Sequence, residues 1–308
     1  MPEVAEACAG LYDSWVVLTD DRTVDDTALA AGEHLEGPGA VHPFTFEDFS
    51  QARNLLLEQA RIGLDPEEDF ILLADPDSPP RGVLPGLARD WYSCTWRQGQ
   101  TEWQMPVLIR AGVECHYEGA AHEILRLPAT ATSAPAEELL VVVAPKAFSS
   151  ERFELYLELL LPDATENPRS AFYLARTYAD LQRRGEAIEA YLRRAQMGHG
   201  VIEETYLSVL NAGILLVPLD VELARVLLER ARRLRPGRVE TLYHLAWLAN
   251  ATSDPERAAG YCAEAVQMPP SSDGLFVNRW AEREGILFEL GKALDAMRAD
   301  NPPTLEEQ

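Results

Sequence analysis

The chain has 308 residues, 47% of them hydrophobic, enough for two ordinary domains each with its own core. Its net charge is −23, concentrated in residues 1–150, where 25 Asp and Glu face 9 Lys and Arg; this excludes nucleic acid as a broad-surface partner, which needs cations against phosphate. The longest apolar runs, such as 139–144 and 214–217, exclude a transmembrane segment, which takes roughly 20 residues.

The acidic start Met1–Glu6 does not read as a signal peptide. Four scattered cysteines (Cys8, Cys94, Cys115, Cys262) without a C-x-x-C pair point to a reducing, cytoplasmic setting. Trp15–Thr19 then reads as a strand running into the acidic stretch Asp20–Thr27. A helix is expected from Thr27 to Gly32, capped by Asp25 or Asp26. Asp48–Arg61 is an amphipathic helix, and Asp69–Ala74 is a second buried strand ending in Asp75-Pro76-Asp77. Strands and helices alternate, with acidic clusters at the strand ends. This predicts an α/β domain over residues 1–150, an open sheet that binds ligand at those ends.

Asp75 and Asp77, two apart at a strand end, can both face a cation, and an oxygen-rich pair suits Mg²⁺ or Mn²⁺ bridging a diphosphate. The same residues also read as a solvated turn closed by Ser78-Pro79-Pro80. Arg53 is a candidate phosphate donor or a helix-surface partner of Asp48 or Glu58. His122-Glu123 is a candidate general base or a loop hydrogen bond, and Trp91, Trp96 and Trp103 read mainly as core packing.

Residues 151–169 are expected to form a linker helix. Over 170–300 a pattern of small and aromatic residues recurs, with a second-helix alanine at 187, 224, 258 and 293. A period near 34 residues is the tetratricopeptide signature: small residues let paired helices approach, aromatics fill the gap and proline ends the second helix. Pro236 and Pro270 take that last role, Ala281–Met297 is expected to be one more helix pair, and 301–308 is a tail. Such arrays serve as protein- or peptide-binding scaffolds or as surfaces for self-association.

Five stretches, taken in order, resemble a known family: Asp20…Asp25-Asp26-Thr27, Ala52-Arg53-Asn54, Asp75-Pro76-Asp77, Trp103–Arg110 and Tyr117-Glu118-Gly119-Ala120-Ala121-His122-Glu123. The series is similar to bacterial family 2 glycosyltransferases that carry C-terminal tetratricopeptide repeats. The resemblance implies a GT-A open mixed sheet and inverting, metal-dependent hexosyl transfer from a nucleotide-sugar to a protein, peptide or small-molecule acceptor. It implies that Asp20 meets the nucleotide, with Arg22 and Arg53 near phosphate. Asp75 and Asp77 would hold Mn²⁺ or Mg²⁺, with Asp75 also meeting the donor, and Glu123, or else His122, would be the base. Three departures mark the match. The chain opens at the helix after the family's first, central strand, Ala144 stands where related proteins often have a histidine ligand, and Arg22 stands where the family has glycine. These motivate the alternative, a catalytically degenerate domain retained as part of a repeat-based binding scaffold.

Overall fold

The computed structural model describes residues 1–22, 25–145 and 148–300. Thr23 and Val24 of the acidic loop, Lys146 at the end of the 139–146 run and the expected tail 301–308 lie outside the described residues. The chain divides into two compact units, Met1–Phe148 and Ser149–Gln308.

The first unit opens on a short helix, α1 (Pro2–Ala7). Strand β1 (Trp15–Asp20) follows and pairs in parallel with β2 (Gly39–Phe44), Trp15 opposite Gly39. Glycine is required there, because a Cβ at 39 would fall 2.1 Å from the Trp15 indole. Between them lies α2 (Thr27–His34), with Asp26 at its N-cap position; the Asp25 carboxylate accepts a hydrogen bond from the Thr27 amide at 2.9 Å. Helix α3 (Phe49–Ala60) is capped by Asp48, whose carboxylate accepts from the Gln51 amide at 2.8 Å. It packs on β1 and sets Leu57 against Ile71 and Tyr117.

The remaining strands are β3 (Phe70–Leu72), β4 (Pro80–Gly82), β5 (Trp91–Gln98), β6 (Thr101–Arg110) and β9 (Ser133–Val142). They form a mixed sheet in the order β3-β6-β5-β9-β4, with β5 and β9 parallel and the other pairs antiparallel. Tyr92, Cys94, Val107, Leu139 and Val141 form its core. Strands β7 (His116–Glu118) and β8 (Ile124–Arg126) make a separate small hairpin.

The expected single open GT-A sheet is therefore not what forms. β1–β2 stand apart from the mixed sheet, and among the described residues no strand pairs with the β1 edge opposite β2. Every residue of β1, including Trp15, Val16, Val17 and Leu18, consequently stays half-buried despite its apolar sequence. A strand with one open edge and incomplete cover cannot bury its side chains.

The second unit is helical. Helix α4 (Ser150–Leu160) is capped by Ser149 and leads into α5 (Pro168–Asp180), capped by Asn167 with Pro168 in the first turn. Then follow α6 (Arg184–Gln196), α7 (Ile202–Leu216), α8 (Val221–Leu234), α9 (Val239–Ala251) and α10 (Pro255–Ala265). The pairs α5/α6, α7/α8 and α9/α10 pack on themselves, and the pairs stack through α6/α7 and α8/α9. The four recurring alanines, Ala187, Ala224, Ala258 and Ala293, are all fully buried. So are Ala175, Ala212 and Ala246 on the first helices, and a Cβ at Gly213 would meet the Leu228 side chain at 3.2 Å. Small residues at these contacts are what allow the helices to approach, so the unit is an array of tetratricopeptide type. Equivalent turns recur as well: Gln182 and Ser253, two repeats apart, both take left-handed backbone angles after α5 and α9 (φ 59° and 58°).

The expected closing helix pair is instead one continuous helix. A π-helical turn, Ala281–Gly285, runs directly into α11 (Ile286–Asp300). Gly285 does not break it; its Cβ would lie 2.8 Å from the Trp280 ring and 3.1 Å from Tyr243, so glycine there serves close packing rather than a turn. Among the described residues no helix is long and apolar enough to cross a membrane.

His244, on α9, sits edge-on to the Tyr243 ring with centroids 4.9 Å apart, and burial pushes its imidazole pKa down to about 4. The unfolded chain therefore takes up this proton first. The stability tied to neutral His244 is whole above the ordinary imidazole pKa, about 6.5, and is lost as the pH falls towards 4. His244→Phe is expected to remove about 1–3 kcal/mol of the stability lost across that window, measured by urea unfolding at its two ends. An unchanged pH slope would show that other groups titrate there.

Candidate functional site

In the first unit three separate segments converge on Arg53. The guanidinium, carried by α3, reaches Asp75 with Nη2 to Oδ1 at 2.8 Å and donates from Nε to Glu123 Oε1. It also lies over the Tyr117 ring, 5.5 Å from its centroid. Asp75 begins a tight turn just past β3, closed by the Ser78 amide on the Asp75 carbonyl at 3.0 Å. Glu123 ends the β7–β8 connection, where Gly119 (φ 102°) and His122 (φ 52°) take left-handed backbone angles. A histidine in that region is uncommon, and such conformations concentrate where a loop is shaped for a purpose. Asn54 holds the same hairpin: its Nδ2 donates to the Tyr117 carbonyl at 2.9 Å and its Oδ1 accepts from the Tyr117 amide at 2.7 Å. The Phe49 amide also donates to the Ala120 carbonyl at 3.0 Å.

Burial opposes the charge on Arg53, but Asp75 and Glu123 outweigh it, and its pKa rises. Burial raises the Tyr117 phenol as well, against the pull of Arg53. The site is thus an arginine neutralised between two carboxylates. Neither Asp48 nor Glu58 is its partner, so the helix-surface reading of Arg53 is replaced by a link across the unit.

Asp75 and Asp77, the expected metal ligands, lie in the turn just past β3. Among the described residues no three His, Cys, Asp or Glu side chains come together in a way that could hold an ion. Asp75 is already engaged by Arg53, and a divalent cation at that carboxylate would face the guanidinium charge. The turn reading of Asp75–Ser78 is what the backbone shows.

Asp20 and Arg22 form their own pair at the end of β1. Arg22 donates to Asp20 from its amide (3.1 Å), from Nε (3.0 Å) and from Nη2 (2.8 Å), and from Nη2 to the Phe46 carbonyl (2.9 Å). Hydrogen bonds from the Arg22 side chain hold the Asp20 carboxyl at about 2. Asp20 therefore faces Arg22. Trp96 and Trp103 form a cross-strand pair on β5 and β6 with centroids 6.2 Å apart, as packing requires.

The second unit contains a site that the sequence reading missed. Residues 266–280, taken there as the mere end of a repeat, return across the first helices of the array. Asp273 is held by Arg235, whose Nε donates at 3.0 Å, and by Arg238 Nη1 at 3.2 Å. The Gly274 amide donates to Glu203 at 3.0 Å and the Asn278 amide to Glu240 at 2.9 Å. Arg238 donates to the carbonyls of Leu275 (3.1 Å) and Phe276 (3.0 Å). The Phe276 ring stacks on Phe172 of α5 with centroids 6.5 Å apart, and Arg176 lies over it at 4.0 Å. The one available signal was the pairing of Arg235 and Arg238 around Pro236 with the lone acidic residue of the 266–280 loop.

No family model matches the chain, and no curated protein matches it. Among solved structures, about half of the chain is similar to helical repeat proteins. A crystal structure of MamA is 18% identical over 48% of this chain and 88% of its own, with a TM-score of 0.33. The yeast Tom70 structure is 16% identical over 53% of this chain and 30% of its own (TM-score 0.38). YrrB, described as a tetratricopeptide repeat protein with an unusual peptide-binding site, is 22% identical over 49% and 82% (TM-score 0.33).

Proposed function

We propose that this protein is a binding scaffold whose helical repeats receive an extended peptide segment of a partner protein. One observation supports the reading above others: α5, α7 and α9 already hold residues 273–278 by backbone and side chain together, the way peptides are held. A displayed library of random peptides, panned on the full chain and on its Phe276→Ala variant, tests it. Peptides are expected to enrich whose binding is lost on Arg176→Ala. If none enriches on either chain, the array does not bind peptides and the reading fails.

A second reading is motivated by the meeting of Arg53, Asp75 and Glu123, three residues that the glycosyltransferase resemblance puts at one site. On it, Glu123 is the general base of a sugar transfer, acting when Arg53 moves to a substrate phosphate. The chain with Mn²⁺ or Mg²⁺ is then expected to release nucleoside diphosphate from one member of a nucleotide-sugar panel, and Glu123→Gln to cut that release by about 10² or more. No release from any donor removes this reading and leaves the scaffold alone.

A further inference from the structure

We propose that Asp273–Phe276 is an internal stand-in for the partner: the face of α5, α7 and α9 recognises an extended peptide carrying a carboxylate three residues ahead of an aromatic ring, and the chain's own segment holds that place until such a peptide displaces it. The proposal rests on the peptide-binding reading above and specifies its ligand and its control.

The contacts divide into two kinds. The first is directed at the backbone and takes any sequence: Glu203 and Glu240 accept from the amides of Gly274 and Asn278, and Arg238 donates to the carbonyls of Leu275 and Phe276. The second is directed at the side chains of Asp273 and Phe276. Asp273 fits between Arg235 and Arg238, and both nitrogens of Arg235 that face it donate to it. Phe276 lies between the Phe172 ring and the Arg176 guanidinium. The pattern that defines a ligand is therefore a carboxylate three residues ahead of an aromatic ring. The chemistry is selective because a planar guanidinium matches a carboxylate and stacks on an aromatic face: Arg235 does the first, Arg176 the second, and Arg238 both, lying over the Tyr206 ring at 4.8 Å. Arg238 is nearly fully buried and is fixed by a second carboxylate, Glu240, so this part of the receiving surface is preformed.

The internal segment is not at ease in the place it fills. Phe276 has φ 46°, a left-handed conformation that a bulky residue rarely takes. The segment is joined to α10 at one end and to the helix from Ala281 at the other. A peptide joined to neither helix can make the two anchor contacts without that left-handed residue. The tether adds to these contacts by giving the segment a high effective concentration. Releasing it should therefore raise the affinity for a free peptide in proportion to the fraction of open sites.

The test uses a fluorescent peptide with the sequence of residues 271–279 and the full chain, followed by anisotropy. It is expected to bind the Asp273→Ala/Phe276→Ala chain about ten-fold or more tighter than the native chain. Arg235→Ala in that released background is expected to lose about ten-fold, and a peptide with alanine at both anchors to show no binding. Circular dichroism checks that the released chain is folded. Should it unfold, Phe276→Leu replaces it, with an expected gain of about three-fold, and absence of any gain overturns the proposal. Equal binding to native and released chains also overturns it, as does equal binding by the alanine peptide. Library peptides that bind the released chain at Arg176 but lack the acidic–aromatic pair would sink this proposal while leaving the scaffold reading intact. If no peptide of either kind binds, both fall.

Discussion

Glu204→Ala is expected to lower the stability of the second unit by about 3–5 kcal/mol. Glu204, on α7, is 1% exposed and sits between two arginines: Arg169 Nη1 at 3.0 Å from Oε1 and Arg194 Nη2 at 3.3 Å from Oε2. Arg194 is itself fully enclosed; it also donates to Thr205 Oγ1 at 3.0 Å and to the Val201 carbonyl at 3.1 Å, and its buried Nε has no hydrogen-bond partner. Burial lowers the Arg194 pKa even with Glu204 beside it, so the pair does not fully offset its own desolvation. Removing the carboxylate leaves a buried guanidinium with no counter-charge, which is why one deletion costs far more than the pair contributes. Thermal unfolding of the full chain should show the midpoint of this unit falling on the order of 10 °C. Replacing Arg169, Arg194 and Glu204 together by Met, Met and Leu should cost far less, because nothing charged is then left buried. A loss below about 1 kcal/mol for Glu204→Ala would mean that water reaches the network.

Phe172→Ala is expected to cost about 3–5 kcal/mol, through lost transfer energy plus the cavity left behind. The Phe172 side chain on α5 is fully buried and packs edge-on to Tyr173 (5.1 Å), at a tilt to Tyr191 (6.4 Å) and in a stack on Phe276 (6.5 Å). It therefore joins the first helix pair to the returning segment. Chemical denaturation gives the loss, and hydrogen exchange gives a more specific mark. The amides of Gly274 and Asn278, held by Glu203 and Glu240, should exchange faster in Phe172→Ala than in a variant of equal stability elsewhere, such as Leu228→Ala on α8. Equal exchange in both variants would show that the segment stands without its aromatic anchor.

The helical half was largely legible because each repeat solves the same packing problem with local means. Alanine at 187, 224, 258 and 293 recurs at the helical-repeat period, and each of the four is fully buried. The helix starts are set by equally local means: Asp48, Asn167, Asp220 and Asp254 accept amide hydrogen bonds within the next few residues. Where the period stopped, the reading failed. Ala281–Met297 carries the composition of a helix pair, yet Gly285 is spent on contact with Trp280 and Tyr243, and the helix runs on.

In the α/β half the strands at Trp15 and Asp69, the helix from Asp48 and the segments that would meet could be named in advance; the other strands and their pairing could not. Arg53, Asp75 and Glu123 come together because α3 crosses from β1 to β7 and the loop at Gly119 and His122 turns back towards it. The same chemistry that marked Asp75 as a cation ligand makes it a partner for a guanidinium, and only the fold shows which guanidinium it meets. Asp20 likewise meets Arg22, two residues on.

The sequence by itself determined the two-part plan, the repeat period, the helix starts and the acidic surface, because these depend on patterns a few residues long or on composition. Tertiary structure decided which charges are neutralised, where the sheet divides, and that residues 273–278 fill the inner face of the repeats. Those outcomes depend on which distant groups are buried together. Burial makes an unpaired charge so costly that Arg53, Arg194 and Arg238 each end up against carboxylates from elsewhere in the chain or on the same helix.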